Sequence, residues 1–210
     1  MEVYNPDGTK AQVSGNGTRC VVRYLLERGY SPRLTKEIET VKGIVSNEIL
    51  NGDLSNLKVR VNLGRQAKEI KRMTIKLRNK AVDMIYVDIG NPHGVRLVSK
   101  FPPDWKEQGY LIEHHRVFQP HKVNVEFGRV INKREMEVRV WERGVGAVLS
   151  SGTGASGAVL AGIFAGKLAN KVKARMAGGN LEIEYNPKLK NLFITGPAQT
   201  VCRGVFYYNA

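Results

Sequence analysis

Cysteine is scarce in this chain of 210 residues: Cys20 and Cys202 are the whole complement. Neither stands in a metal-ligand spacing or a CxxC pair, so no zinc site or dithiol redox motif is readable. The four histidines, His93, His114, His115 and His121, form no helical i, i+4 pair, and no metal is expected. No apolar run approaches the ~20 residues that cross a bilayer as a helix, and no charged-then-apolar leader opens the sequence. The expected location is the cytoplasm, with no membrane partner. Acidic residues are also few, 19 against 33 Lys and Arg, which leaves a formal net charge of +14. An excess of that size favours a polyanionic partner such as RNA, DNA or anionic lipid. The alternative is a generally basic, solvated surface.

With 42% hydrophobic and 25% charged residues, the composition is that of a globular chain able to bury a core in one domain or two small ones. Residues 1–5 read as a strand that starts at once, and Pro6-Asp7-Gly8 as a turn. Cys20, Val21, Tyr24 and Leu25 recur at helical spacing, with Gly29 as the stop. Cys20 is expected on the inner face of that helix as a buried, structural thiol. Residues 58–63 and 72–78 alternate basic or polar with apolar side chains and read as strands. Residues 81–89 form a mostly apolar run, 102–105 a loop, and 110–115 a short helix. Residues 123–127 and 135–141 alternate as strands, 152–166 form a helix rich in small residues, and 181–185 with 192–194 form a closing strand pair. Many strands with two helices suggest an α+β fold, each sheet wrapped on a helix.

Two short segments nearly repeat each other: Ser14-Gly15-Asn16-Gly17 and Ser151-Gly152-Thr153-Gly154. Each stands before a helical stretch, where free backbone N–H groups make a seat for an anion. Charge is also concentrated. Residues 58–80 hold nine basic side chains and one acidic one, a net +8. Lys58 and Arg60 share one strand face and Arg72, Lys76 and Arg78 another, with Lys80 close by. These are the candidate nucleic-acid contacts; the ordinary charged outer face of an antiparallel sheet is the competing reading.

Taken in order, the motifs resemble the diaminopimelate epimerase family of cofactor-independent amino-acid epimerases. They are Asn5-Pro6-Asp7-Gly8, then Ser14 through Cys20, Gly90-Asn91-Pro92-His93, Phe118 with Asn124, Glu142-Arg143-Gly144-Val145-Gly146, Ser151-Gly152-Thr153-Gly154, and Thr195-Gly196-Pro197-Ala198. The resemblance runs over most of the chain. It implies two pseudo-symmetric α/β domains, each a sheet rolled around a central helix. Here these would be residues 1–64 with 198–210, an incomplete first domain, and 65–197. It implies no cofactor. The family's two catalytic cysteines fall on Ser14 and Ser151. By the same matching Asn5, Gly15, Asn16, Asn91, Asn124 and Arg143 contact the substrate, Gly152 and Thr153 hold its α-carboxylate, and His93 and Glu142 flank the bases. Simpler roles compete: Asn5 and Asn91 as turn formers, the glycines as tight-turn residues, Glu142 and Arg143 as an exposed pair, and His93 as a satisfied core residue.

The serines decide the chemistry expected. A thiol near pKa 8.5, lowered at a helix N-terminus, is a usable base, whereas a serine hydroxyl is not appreciably ionised near neutral pH. Two readings follow. In the first, the chain is an inactive epimerase-like protein that binds RNA or a ribonucleoprotein such as the ribosome. A protein partner, or a second copy, would then cover the incomplete first domain. In the second, it is an amino-acid epimerase in a Cys-to-Ser inactivated form. An isomerase or dehydratase using Glu142 or His93 as base is a further variant of the second.

Overall fold

The computed structural model describes residues 1–4, 8, 10, 14–30, 35–41, 43–65, 69–78, 80–205 and 207. The chain divides into two compact units, Met1–Val61 with Gly196–Ala210, and Asn62–Thr195. The architecture is α+β.

In the first unit, Ser14 caps helix α1 (Gly15–Glu27) by accepting from the Gly17 amide at 3.0 Å. Antiparallel strands β1 (Thr35–Thr40) and β2 (Gly43–Asn51) follow, and then, after a short 3-10 turn, β3 (Lys58–Arg65), in the order β1-β2-β3. Strand β3 continues into the second unit. Alternation holds in β2, where Val45, Asn47 and Ile49 are buried, and in β3, where Val59 and Val61 are buried.

The expected inner face of α1 is corrected. Gly15, Thr18, Arg19 and Val22 are buried, whereas Cys20 and Tyr24 are exposed. A charged residue takes the buried stripe because its donors are matched. Arg19 donates to Gly15 O at 3.0 Å, Asn16 Oδ1 at 2.9 Å and Pro197 O at 3.2 Å, and a buried guanidinium so paired is tolerated. The opening strand is also corrected. Residues 1–3 have no strand pairing, and Tyr4 makes an isolated bridge to Lys10. Asn5, Pro6 and Asp7 lie outside the described residues.

The second unit is built around helix α3 (Gly152–Phe164), capped by Ser151. Strands β4 (Glu69–Leu77), β5 (Lys80–Asp88) and β6 (Pro92–Leu97) precede helix α2 (Trp105–Glu113). Then come β7 (Asn124–Asn132), β8 (Glu135–Glu142), β9 (Gly146–Val148), α3, β10 (Lys171–Met176), β11 (Gly179–Asn186) and β12 (Asn191–Pro197). The strand order is β12-β11-β10-β8-β7-β6-β5-β4, with β9 on β8. The β6–β7 and β8–β10 pairs are parallel and the other recorded pairs of this unit antiparallel.

Helix α2 begins at Trp105, five residues before the start of the short helix expected from the sequence, and ends at Glu113. The sequence gives a weak signal for this start: Asp104 stands at the N-cap without making a side-chain cap bond. Trp105 packs its ring edge-on to Phe127, which anchors the extra turn. Arg78 is corrected as well. Strand β4 ends at Leu77, and Arg78 sits in a left-handed turn conformation, φ 51°.

Strand β7 is buried on both faces. Val125 and Phe127 join Ile75, Met84, Ile112 and Phe118 in one apolar cluster, while the alternate residues meet α3. That helix is apolar all round, as a helix enclosed by protein must be, and its glycines let strand side chains approach closely. A Cβ at Gly157 would lie 3.0 Å from His93 Cγ.

The Gly157→Ala substitution tests this packing. His93 is fully buried and pinned by a carboxylate, so it has no room to yield. Overpacking is expected to outweigh alanine's helix propensity and destabilise the protein by about 1–2 kcal/mol in denaturant unfolding. A neutral or stabilising result would show that the ring can move.

Candidate functional site

Each Ser-Gly-x-Gly segment forms a helix N-cap. Ser14 and Ser151 have extended backbone, and Ser151 Oγ accepts from the Gly154 amide at 3.2 Å, as Ser14 Oγ does from Gly17. Serine is among the best capping residues because its oxygen satisfies an amide the helix leaves unpaired. Ser14, Gly15 and Asn16 belong to the first unit. There the Asn16 side-chain oxygen is taken by Arg19, and Gly15 O accepts from Arg19 and Thr18. Ser151 and Gly152 are buried and Thr153 half-buried at the start of α3. Asn5 lies outside the described residues.

The second unit brings the central motifs together. Parallel pairing sets His93 beside Asn124. Asn124 Nδ2 donates to Pro92 O at 3.0 Å, and its Oδ1 accepts from the Arg143 amide at 3.0 Å. One amide side chain thus ties the Asn91-Pro92-His93 segment to the Glu142-Arg143 turn. Asn91 and Glu142 are half-buried and Arg143 is exposed, its Nη1 donating to His121 O at 2.6 Å.

Beneath this surface lies a pair that motif reading missed in part. His93 Nδ1 and Glu126 Oε1 are 2.7 Å apart, both side chains fully buried. A Cβ at Gly154 would stand 3.1 Å from Glu126 Oε1. His93 Nε2 and Glu126 Oε2 have no hydrogen-bond partner among the described residues. Burial pushes the Glu126 carboxyl above the ordinary carboxylate range; the His93 ring pulls it down and the Glu142 carboxylate pushes it up. The sequence does not single out Glu126: residues 123–127 alternate, and Glu126 stands with Asn124 at the polar positions of that alternation. Glu113 was missed too, and nothing local marks it. It is buried at the end of α2 and takes hydrogen bonds from Trp141 and Gly144.

The candidate basic residues are shared between the two units. Lys58 and Arg60 belong to the first unit, Arg60 reaching Glu48 at 3.4 Å. Arg72, Lys76, Arg78 and Lys80 belong to the second. Arg78 pairs with Glu107, and Arg72 lies over the Phe164 ring, 5.9 Å from its centroid. Lys58, Arg72, Lys76 and Lys80 are exposed. Among the described residues no helix is long and apolar enough to cross a membrane.

Solved structures share this architecture. A probable proline racemase from Agrobacterium radiobacter superposes with a TM-score of 0.70 at 19% identity, covering 93% of this chain and 67% of that one. A phenazine biosynthesis protein from Bacillus anthracis gives 0.65 at 16%, covering 93% and 76%. These likenesses define the fold class, α+β. A family model, that of diaminopimelate epimerase, matches residues 85–201. Diaminopimelate epimerases from Halothermothrix orenii and Moorella thermoacetica are 38% and 34% identical, over 97% and 98% of this chain and 76% and 78% of their own lengths. The chain belongs to the diaminopimelate epimerase family.

The buried pair sets a pH dependence. Because the folded state raises the Glu126 pKa, it holds that proton longer than the unfolded chain does. Stability therefore falls as pH rises from about 4.3, the unfolded glutamate value, towards the raised folded one. Glu126→Gln keeps a hydrogen bond to His93 without titrating. The melting temperature of the wild type is expected to drop relative to E126Q as pH rises above about 4. A gap between the two that stays constant with pH would refute the assignment.

Proposed function

We propose that this protein is an amino-acid-binding member of the diaminopimelate epimerase family that holds its ligand but does not exchange the ligand's α-proton. The observation that carries this reading is the pair of helix N-caps at the family's two cysteine positions. Serine occupies both, and each hydroxyl accepts a hydrogen bond from its own helix. A thiol is the proton carrier that the family resemblance assigns to these positions; a serine hydroxyl capping a helix is not basic enough to take an α-proton near neutral pH. The Glu142-Arg143 turn, held in place by Asn124, supplies the polar groups for an amino acid's ammonium and carboxylate. Gly152 and Thr153 present free amides at the start of α3 for the carboxylate.

Incubation with diaminopimelate in deuterated water tests the reading. The wild type is expected to incorporate no deuterium at the α-carbon, while calorimetry registers binding. The S14C/S151C double variant is expected to gain exchange and to lose about 1 kcal/mol of stability per weakened cap. Exchange by the wild type, or a double variant that binds diaminopimelate but remains inert, would overturn it.

A second reading, polyanion binding, is favoured by Arg72 and Lys76, both exposed on β4, a strand at the end of the sheet order, with exposed Lys80 at the start of β5. It predicts retention of single-stranded RNA at low salt, weakening steeply as salt rises. Absence of binding at low salt would end this reading.

A further inference from the structure

The turn that carries Glu142 and Arg143 is exposed, yet its backbone is held by buried side chains. Asn124 takes the Arg143 amide. The next amide, that of Gly144, donates to Glu113 Oε1 at 2.9 Å. Glu113 Oε2 accepts from Trp141 Nε1 at 2.7 Å, and Lys122 Nζ donates to Oε1 at 3.3 Å. The Glu113 side chain is 3% exposed. Gly144 has φ 75°, a left-handed conformation that favours glycine, and this turns the chain so that its amide points inward.

We infer that Glu113 is a positioning residue for ligand binding: its carboxylate fixes the Glu142-Arg143-Gly144 turn by accepting from residues on both sides of Glu142 and Arg143. The inference deepens the proposed function and rests on it where ligand affinity is concerned. The chemistry requires a carboxylate. Both oxygens face donors, Gly144 and Lys122 on one and Trp141 on the other, and only an ionised acid accepts on both. Burial opposes that charge, and the bonds from Trp141, Gly144 and Lys122 outweigh it, leaving the carboxyl below the ordinary range. An amide in its place offers one acceptor and one donor, so one of the facing N–H groups meets another donor. The turn then loses one of its two buried anchors, and Glu142 and Arg143 lose their fixed relation to the ligand's charged ends.

The experiment compares wild type, E113Q, W141F and E113Q/W141F by calorimetry with diaminopimelate. The Gly144 amide proton is followed by NMR, and melting temperatures are recorded. E113Q is expected to remain folded, to weaken binding about tenfold or more, and to move the Gly144 amide proton upfield as its carboxylate acceptor is lost. W141F removes the competing donor, so E113Q/W141F is expected to regain a large part of the affinity. Such rescue separates positioning from a general loss of stability. Unchanged affinity in E113Q beside a binding wild type would overturn the inference. So would an unmoved Gly144 amide. If the wild type itself fails to bind diaminopimelate, the proposed function falls, and the Gly144 amide alone decides whether Glu113 holds the turn.

Discussion

The second unit depends on one tight approach: His93 and Glu126, hydrogen-bonded to each other, sit against the glycine face of α3. Two ionisable side chains in a dry interior are costly unless they meet one another, and here they meet at 2.7 Å. The helix permits this because Gly154 and Gly157 leave the space that their side chains would fill. The parallel pairing of β6 with β7 sets the register, and the same register brings Asn124 beside His93 at the surface end. Core packing and site geometry are therefore one arrangement. The same strands place Asn124 where it ties the Asn91-Pro92-His93 segment to the Glu142-Arg143 turn.

The cap at the head of α3 belongs to the same arrangement. A serine at the head of α3 preserves the cap, and the helix does not depend on a thiol there. Helix capping and base strength rest on different properties of one side chain.

Much of this was legible beforehand, for identifiable reasons. The two serine caps announce themselves because capping is local, depending on one side chain and an amide three residues on. Alternation in β3, β4 and β8 is similarly local. The face of α1 was misjudged because apolar periodicity placed Cys20 and Tyr24 inside, whereas Arg19 is buried with three oxygen acceptors. One of those acceptors is Pro197, 178 residues away. The start of α2 was missed because Trp105 is fixed by Phe127, a contact between elements. Glu126 was hidden by alternation, which puts it with Asn124 on the polar side of β7, the side that α3 covers. Glu113 left no trace, since its partners Trp141 and Gly144 lie about thirty residues on.

The sequence by itself determined the α+β class, the two capped helices, the family, and the serines that cap those helices. These follow from side-chain type and short-range spacing. Tertiary structure alone decided which polar residues are buried and what they hold. Whether a carboxylate at position 113 or 126 is solvated or enclosed depends on what packs over it, and that is set by strands and helices distant in the chain. The same enclosure raises the pKa of one carboxyl and, with three donors aimed at it, lowers the other.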